Sequence, residues 1–293
     1  MTAGIPSPGG LQPSTGETGG RLEAAVWQRS RQRLRLYGGR LRRTVVGPGL
    51  AHPCLFMHLP KCGGTSLAEA LYAAVPIHRR IGVIDAPSTR RAAAIVNFGR
   101  DDPLLCHEDL ANGAMTFALR EQIMLAHMCW GTTLIHGHVL YTDAFRRHFA
   151  DRYRVVTIMR DPIERSISNF RMNARVRGMP ADVDAWLASP VGVMHATVNL
   201  RYLSGRHDAG EDPAANLALA RDTVDRLALV GFLDNIPKLQ RDFADLFGPG
   251  LVLRHHNEAK GREVALSAEQ RRRLERLCAP DIELYERARA RFG

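Results

Sequence analysis

Two stretches of the sequence hold residue types at spacings suited to binding anions. Pro60-Lys61-Cys62-Gly63-Gly64-Thr65-Ser66 follows one apolar run, and Arg160-Asp161-Pro162-Ile163-Glu164-Arg165-Ser166-Ile167-Ser168 follows another. In each, a cation stands where a strand would end and a helix begin. At such a junction, free backbone N–H groups and the positive end of the helix dipole point at an anion. Gly63 and Gly64 let the backbone approach closely, Thr65 and Ser66 offer hydroxyls, and Lys61 can neutralise charge on a departing phosphate. In the second stretch Asp161 suits an N-cap and Pro162 the first helical position, so Arg160 ends the strand and Ser168 reaches back from the helix. Two such junctions in one chain imply a ligand with phosphates at both ends. The plainer alternatives are a glycine turn beside a solvated lysine, and a structural pairing of Arg160 with Asp161 or Glu164.

A third group is Leu134-Ile135-His136-Gly137-His138, which puts two histidines on one face of an extended segment. Imidazole titrates in the range a general base needs. Read from the residues alone, the pair is structural, catalytic or the start of a metal site. No Cys/His/Asp cluster completes such a metal site in the sequence.

The first loop resembles the 5′-phosphosulfate loop of sulfotransferases that use 3′-phosphoadenosine 5′-phosphosulfate (PAPS), in the branch of heparan sulfate 2-O- and related carbohydrate sulfotransferases. That branch writes it PKTGGTS. Cys62 replaces the threonine, which removes one hydroxyl contact and keeps the backbone cradle; thiol catalysis by Cys62 lacks an evident base. The resemblance implies that Lys61, Cys62, Gly63, Gly64, Thr65 and Ser66 hold the phosphosulfate. In the RDPxxRxxS motif it implies that Arg160 and Ser168 hold the 3′-phosphate, while Arg165 is a surface pair or a ligand. The HGH segment resembles the branch's catalytic histidines, which makes His138 the base and His136 a second base or an orienting group. Lys61 then serves catalysis as well as binding. Asn199–Gly205 and Leu229–Phe232 resemble later landmarks, and the basic loop Arg254–Arg262 sits where the family closes over the nucleotide, with Asn257 and Lys260 either as contacts or as part of a solvated loop. The similarity spans about residues 53–285. It implies PAPS as co-substrate, no metal, and a hydroxyl acceptor, best a carbohydrate.

These groups must be held by strands and helices in alternation. Apolar runs at Cys54–Leu59, Thr132–His136, Val155–Met159, Leu229–Phe232 and Leu251–Leu253 read as buried strands. Helices are expected after Thr65, with Leu67, Ala70, Leu71 and Ala74 on one face, and over Asp143–Phe149, Leu217–Leu227, Pro237–Phe247 and Ser267–Cys278. Ser267 and Gln270 form a capping box. The stretch 77–130 mixes weak helix signals with breakers and yields no order. The pattern gives an α/β fold: a P-loop-like three-layer sandwich with a central parallel sheet flanked by helices. The first 20 residues are rich in Gly, Pro, Ser and Thr, and 21–43 are strongly basic around Trp27. Residues 1–48 therefore read as a disordered or basic extension, with the sulfotransferase domain over 49–293 and its folded part beginning near Gly47–Pro53.

Of 293 residues, 45% are hydrophobic and 24% charged, enough apolar material for a sizeable core. The net charge of +10 favours anionic partners such as nucleotides or acidic sugars. Five scattered cysteines without a CxxC spacing argue against a disulfide framework. No run approaches the ~18 apolar residues of a membrane span, and the N-terminus lacks the apolar segment of a secretory signal. A reduced, cytoplasmic protein is the expectation, with no nucleic-acid partner. Two other classes compete: a nucleotide kinase or NTPase of the same architecture, which needs Mg²⁺ and an acidic ligand at a strand end, and a non-catalytic polyanion-binding protein.

Overall fold

Short apolar runs closed by Pro, Gly or charged residues form the strands. The computed structural model describes residues 36–47, 49–174, 176, 179–208, 210–253 and 264–293; most of the basic extension and the Arg254–Arg262 loop, with Asn257 and Lys260, lie outside them. In chain order the elements are β1 (Cys54–Met57), α1 (Gly64–Ala73), β2 (Ile81–Ile84), α2 (Ala86–Phe98), α3 (Gly113–Cys129), β3 (Leu134–Gly137), α4 (Asp143–His148), β4 (Arg154–Met159) and α5 (Pro162–Asn173). There follow α6 (Val183–Ala188), α7 (Pro190–Ala196), α8 (Val198–Ser204), α9 (Pro213–Arg226), β5 (Leu229–Phe232), α10 (Ile236–Phe247), α11 (Ala268–Leu277) and α12 (Ala279–Phe292).

The strands make one five-stranded sheet in the order β2-β3-β1-β4-β5, with every pairing parallel. All four residues of β1 and of β5 are buried, as strands covered on both faces must be. The edge strand β2 alternates instead, with Gly82 and Ile84 buried and Val83 exposed. That weak two-residue signal, set among breakers, is why the sequence did not disclose it. The expected strand over Leu251–Leu253 does not form: the segment is irregular, and the Gln240 side chain takes the Leu251 carbonyl at 2.9 Å. With β5 as the outer strand, the fifth place in the sheet belongs to β2.

From β1 the chain crosses toward β2 and β3, whereas from β4 it crosses the other way to β5. The strand order therefore reverses between the carboxyl ends of β1 and β4. In open parallel sheets this reversal opens a crevice where ligands bind.

The folded part starts earlier than the sequence implied. Residues 36–46 are helical, and Gly39 lets this helix approach Ala73, since a Cβ there would lie 2.8 Å from the alanine's own. Arg40 fastens it, donating to the carbonyls of Val75, Pro76, Ile77 and Arg79 at 2.8–3.3 Å.

On the other side of the sheet's centre, α5 is tied down by Arg165. This side chain is fully buried, neither a surface pair nor exposed to a ligand. It donates to Asp281 Oδ2 at 2.8 Å and to the carbonyls of His195 and Ala196. Asp281 in turn accepts from the Asn199 and Leu200 amides at 2.7 and 2.8 Å. One ion pair thus fixes α5, α7, α8 and α12 together. Asp281→Ala should destabilise the fold by about 3–5 kcal/mol, because it strands a buried guanidinium; urea unfolding of the variant against the parent measures this.

Candidate functional site

Three turns leave the same edge of three adjacent strands. In β1, Phe56 pairs with His136 of β3 and with Val156 of β4. The pairing runs one step past β1, where the His58 amide donates to the Gly137 carbonyl at 2.9 Å. The turn after β1 (58–63), the residues after β3 (from His138) and the turn after β4 (160–161) therefore stand side by side.

In the first turn, Lys61 and Gly63 adopt left-handed backbone conformations, with φ of 65° and 77°. For Lys61 this is a strained state, of the kind held at functional sites. Gly63 is the N-cap of α1 and brings no side chain to cap it, and the first turn of α1 carries no acidic residue. Gly63 and Thr65 are exposed and Ser66 is half-buried. The first-turn N–H groups, which no helical carbonyl can satisfy, lie beside these hydroxyls. Cys62 is different: its thiol is in the core, 3.6 Å from the Pro60 carbonyl, and burial pushes it up to about 11. Only its backbone faces the turn, and the thiol stays protonated at neutral pH.

In the second turn, Asp161 accepts from the Glu164 amide at 2.9 Å and starts α5. Arg160 reaches Glu164 at 3.3 Å, an exposed i,i+4 contact worth little to stability. Ser168 is half-buried on the next turn of α5. Arg171, which the sequence reading passed over, lies three residues beyond Ser168 on the same helical face. The Lys61 ammonium contacts the Met172 sulfur at 3.4 Å and makes no ion pair among the described residues. Burial first, then the positive charges of Arg160 and Arg171, lower its pKa. Two cations from the turns and one from α5 thus converge, with Glu164 as their nearby carboxylate.

Beside them stands a stack of three histidines. His138 Nδ1 donates to the His58 carbonyl at 2.7 Å. That bond fixes the tautomer, leaving the lone pair on His138 Nε2. His136 is committed at both nitrogens: Nδ1 lies 2.5 Å from Tyr72 Oη and Nε2 lies 3.0 Å from His58 Nδ1. Of the two expected bases, His138 has no partner at Nε2 among the described residues, whereas both ring nitrogens of His136 are engaged. The His58 and His138 rings stack at 4.4 Å between centroids. Burial, with Arg120 second, lowers His138 to about 4, and burial, with His138 second, lowers His136 to about 3. His58 also falls well below its ordinary value, chiefly by burial. The stack is neutral at pH 7. Arg120, fully buried, holds the His138 carbonyl at 3.2 Å and pairs with Glu108.

His58 was hidden in the sequence inside the apolar run Cys54–Leu59. Its signal is parity: Phe56 and His58 share a face, as do His136 and His138, and the β1–β3 register aligns the two pairs. Among the described residues no group of three His, Cys, Asp or Glu side chains is arranged to hold a metal ion. No described helix is long and apolar enough to cross a membrane. No protein-family model matches the chain, and neither does any curated protein.

Because these histidines are neutral when folded but titrate near 6.5 when unfolded, stability is complete above about pH 6.5. It is lost progressively as pH falls toward 4, since the unfolded chain binds protons that the folded stack refuses. Denaturation midpoints at pH 7.5 and 4.5 should differ less in His136→Gln than in the parent.

Proposed function

We propose that this protein is a PAPS-dependent O-sulfotransferase, its P-loop-like first turn gripping the phosphosulfate and its second turn the 3′-phosphate. The observation that carries this reading is the convergence of Lys61, Arg160 and Arg171 at the strand-order reversal between β1 and β4. A lysine whose pKa is lowered by burial and by two neighbouring arginines, with only an exposed glutamate nearby, favours an anionic ligand. Two turns on neighbouring strands suit one nucleotide with a charge at each end.

In this reading the first-turn amides of α1, with Thr65, Ser66 and Lys61, hold the 5′-phosphosulfate, while Arg160 and Ser168 hold the 3′-phosphate. The acceptor hydroxyl attacks sulfur in line. The new S–O bond forms as the bond from sulfur to the bridging phosphate oxygen breaks. The hydroxyl proton passes to His138 Nε2, and the electron pair leaves on adenosine 3′,5′-bisphosphate. Lys61 and the α1 amides offset charge growing on that departing phosphate, and positioning and electrostatics supply the acceleration. The depressed pKa of His138 keeps its Nε2 unprotonated across neutral pH. The acceptor class best supported is a carbohydrate, from the resemblance and the basic net charge.

Two outcomes follow. Lys61→Ala should abolish binding of adenosine 3′,5′-bisphosphate in isothermal titration calorimetry, and Arg160→Ala should weaken it to the level of adenosine 5′-monophosphate. His138→Ala should bind it as the parent does and lose about 10²–10⁴-fold in kcat, read in a sulfate-transfer assay against a glycan panel. Weak binding by the histidine variant, or full turnover without the imidazole, would refute these roles.

A further inference from the structure

The hydrogen-bonded row Tyr72–His136–His58 has a direction, and that direction determines what His58 presents to the anion turn. Two arrangements of protons satisfy its spacings. In one, Tyr72 donates to His136 Nδ1, His136 Nε2–H donates to His58 Nδ1, and His58 carries its proton on Nε2. In the other every donor is reversed, and the Tyr72 hydroxyl proton needs an acceptor elsewhere. Tyr72 has no other hydrogen-bond partner among the described residues. Burial, then the charges of Asp85 and Glu69, raises its pKa, so it keeps its proton to give. A half-buried hydroxyl favours the arrangement that uses its proton. The first direction therefore holds.

The position of His58 Nε2 gives this tautomer a purpose. A Cβ built on Gly64 would lie 2.4 Å from that nitrogen, so the ring edge rests against the first residue of α1. His58 Nε2 has no partner among the described residues; its recorded bonds are through Nδ1 and the backbone. The two stacked rings thus offer opposite functions, a lone pair on His138 and an N–H on His58.

We infer that His58 is a further catalytic residue, a neutral imidazole whose Nε2–H donates to an oxygen of the phosphosulfate while His138 takes the acceptor's proton. The inference rests on the sulfotransferase reading for the identity of the anion. No proton leaves His58: its hydrogen bond strengthens as charge grows on the departing oxygen, and Tyr72 and His136 hold the tautomer that makes this possible. Gly64 is required for a reason beyond backbone approach, because a side chain there would displace the donor.

The test is histidine ¹H–¹⁵N NMR on the labelled full chain, with kinetics of His58→Phe and His58→Gln. The expected result is His58 protonated on Nε2, with that signal shifting saturably on addition of adenosine 3′,5′-bisphosphate. His58→Phe keeps an aromatic stack and should lose about 10²-fold in kcat with KM for PAPS nearly unchanged. His58→Gln, whose amide restores a donor, should recover part of the loss. A proton on His58 Nδ1, or full kcat in the phenylalanine variant, would overturn the assignment. If the bisphosphate moves no resonance, the sulfotransferase reading fails, and inorganic sulfate then decides the role of His58: a shifted Nε2–H signal supports an anion donor, and an unmoved one overturns it.

Discussion

The parallel pairing of β1 with β3 on one side and β4 on the other is the constraint from which the rest follows. Its register aligns Phe56 with both His136 and Val156, so the residues that end the three strands emerge level with one another. A slip of one residue in either ladder would turn the facing side chains to the opposite face of the sheet. It would separate His58 from His138, or Lys61 from Arg160. That register is pinned at the end of β1, where the His58 amide donates to the Gly137 carbonyl at 2.9 Å and the Thr157 hydroxyl donates to the Met57 carbonyl at 2.8 Å.

Around that register the chain keeps its structural and its reactive charges apart. Arg165 and Arg120 are fully buried and held by carboxylates and carbonyls. Lys61 and Arg171 are left with no carboxylate partner among the described residues, and Arg160 with an exposed glutamate. The buried pairs make the scaffold rigid where an unpaired charge would be costly. The open cations stay partly solvated at the edge, where an anionic ligand can complete them. Histidine burial serves the same division: it keeps the stack neutral, so each ring can offer one donor and one acceptor.

Much of this was legible in the sequence, for physical reasons that differ by element. β1, β3, β4 and β5 are short apolar runs between breakers, and burial of nearly every residue makes the signal continuous. The capping box at Ser267 and Gln270 and the Asp161–Pro162 helix start are local rules that tertiary context leaves intact. β2 was illegible because it buries only Gly82 and Ile84, and Leu251–Leu253 misled because an apolar triplet can pack as irregular chain. Lys61, Arg160 and Ser168 were readable from motif spacing. Arg165 carries the same charge as Arg160 in the same motif, yet its burial depends on Asp281, 116 residues away. His58 needed the sheet order, which no local pattern contains.

The central claim is that one nucleotide is held at both of its charged ends by turns on neighbouring strands. Calorimetry comparing adenosine 3′,5′-bisphosphate with adenosine 5′-monophosphate, on the parent and on Arg160→Ala, tests it most directly. The account predicts that the parent prefers the bisphosphate and that the variant binds the two alike. A parent indifferent to the 3′-phosphate, or a variant that still selects for it, would contradict it.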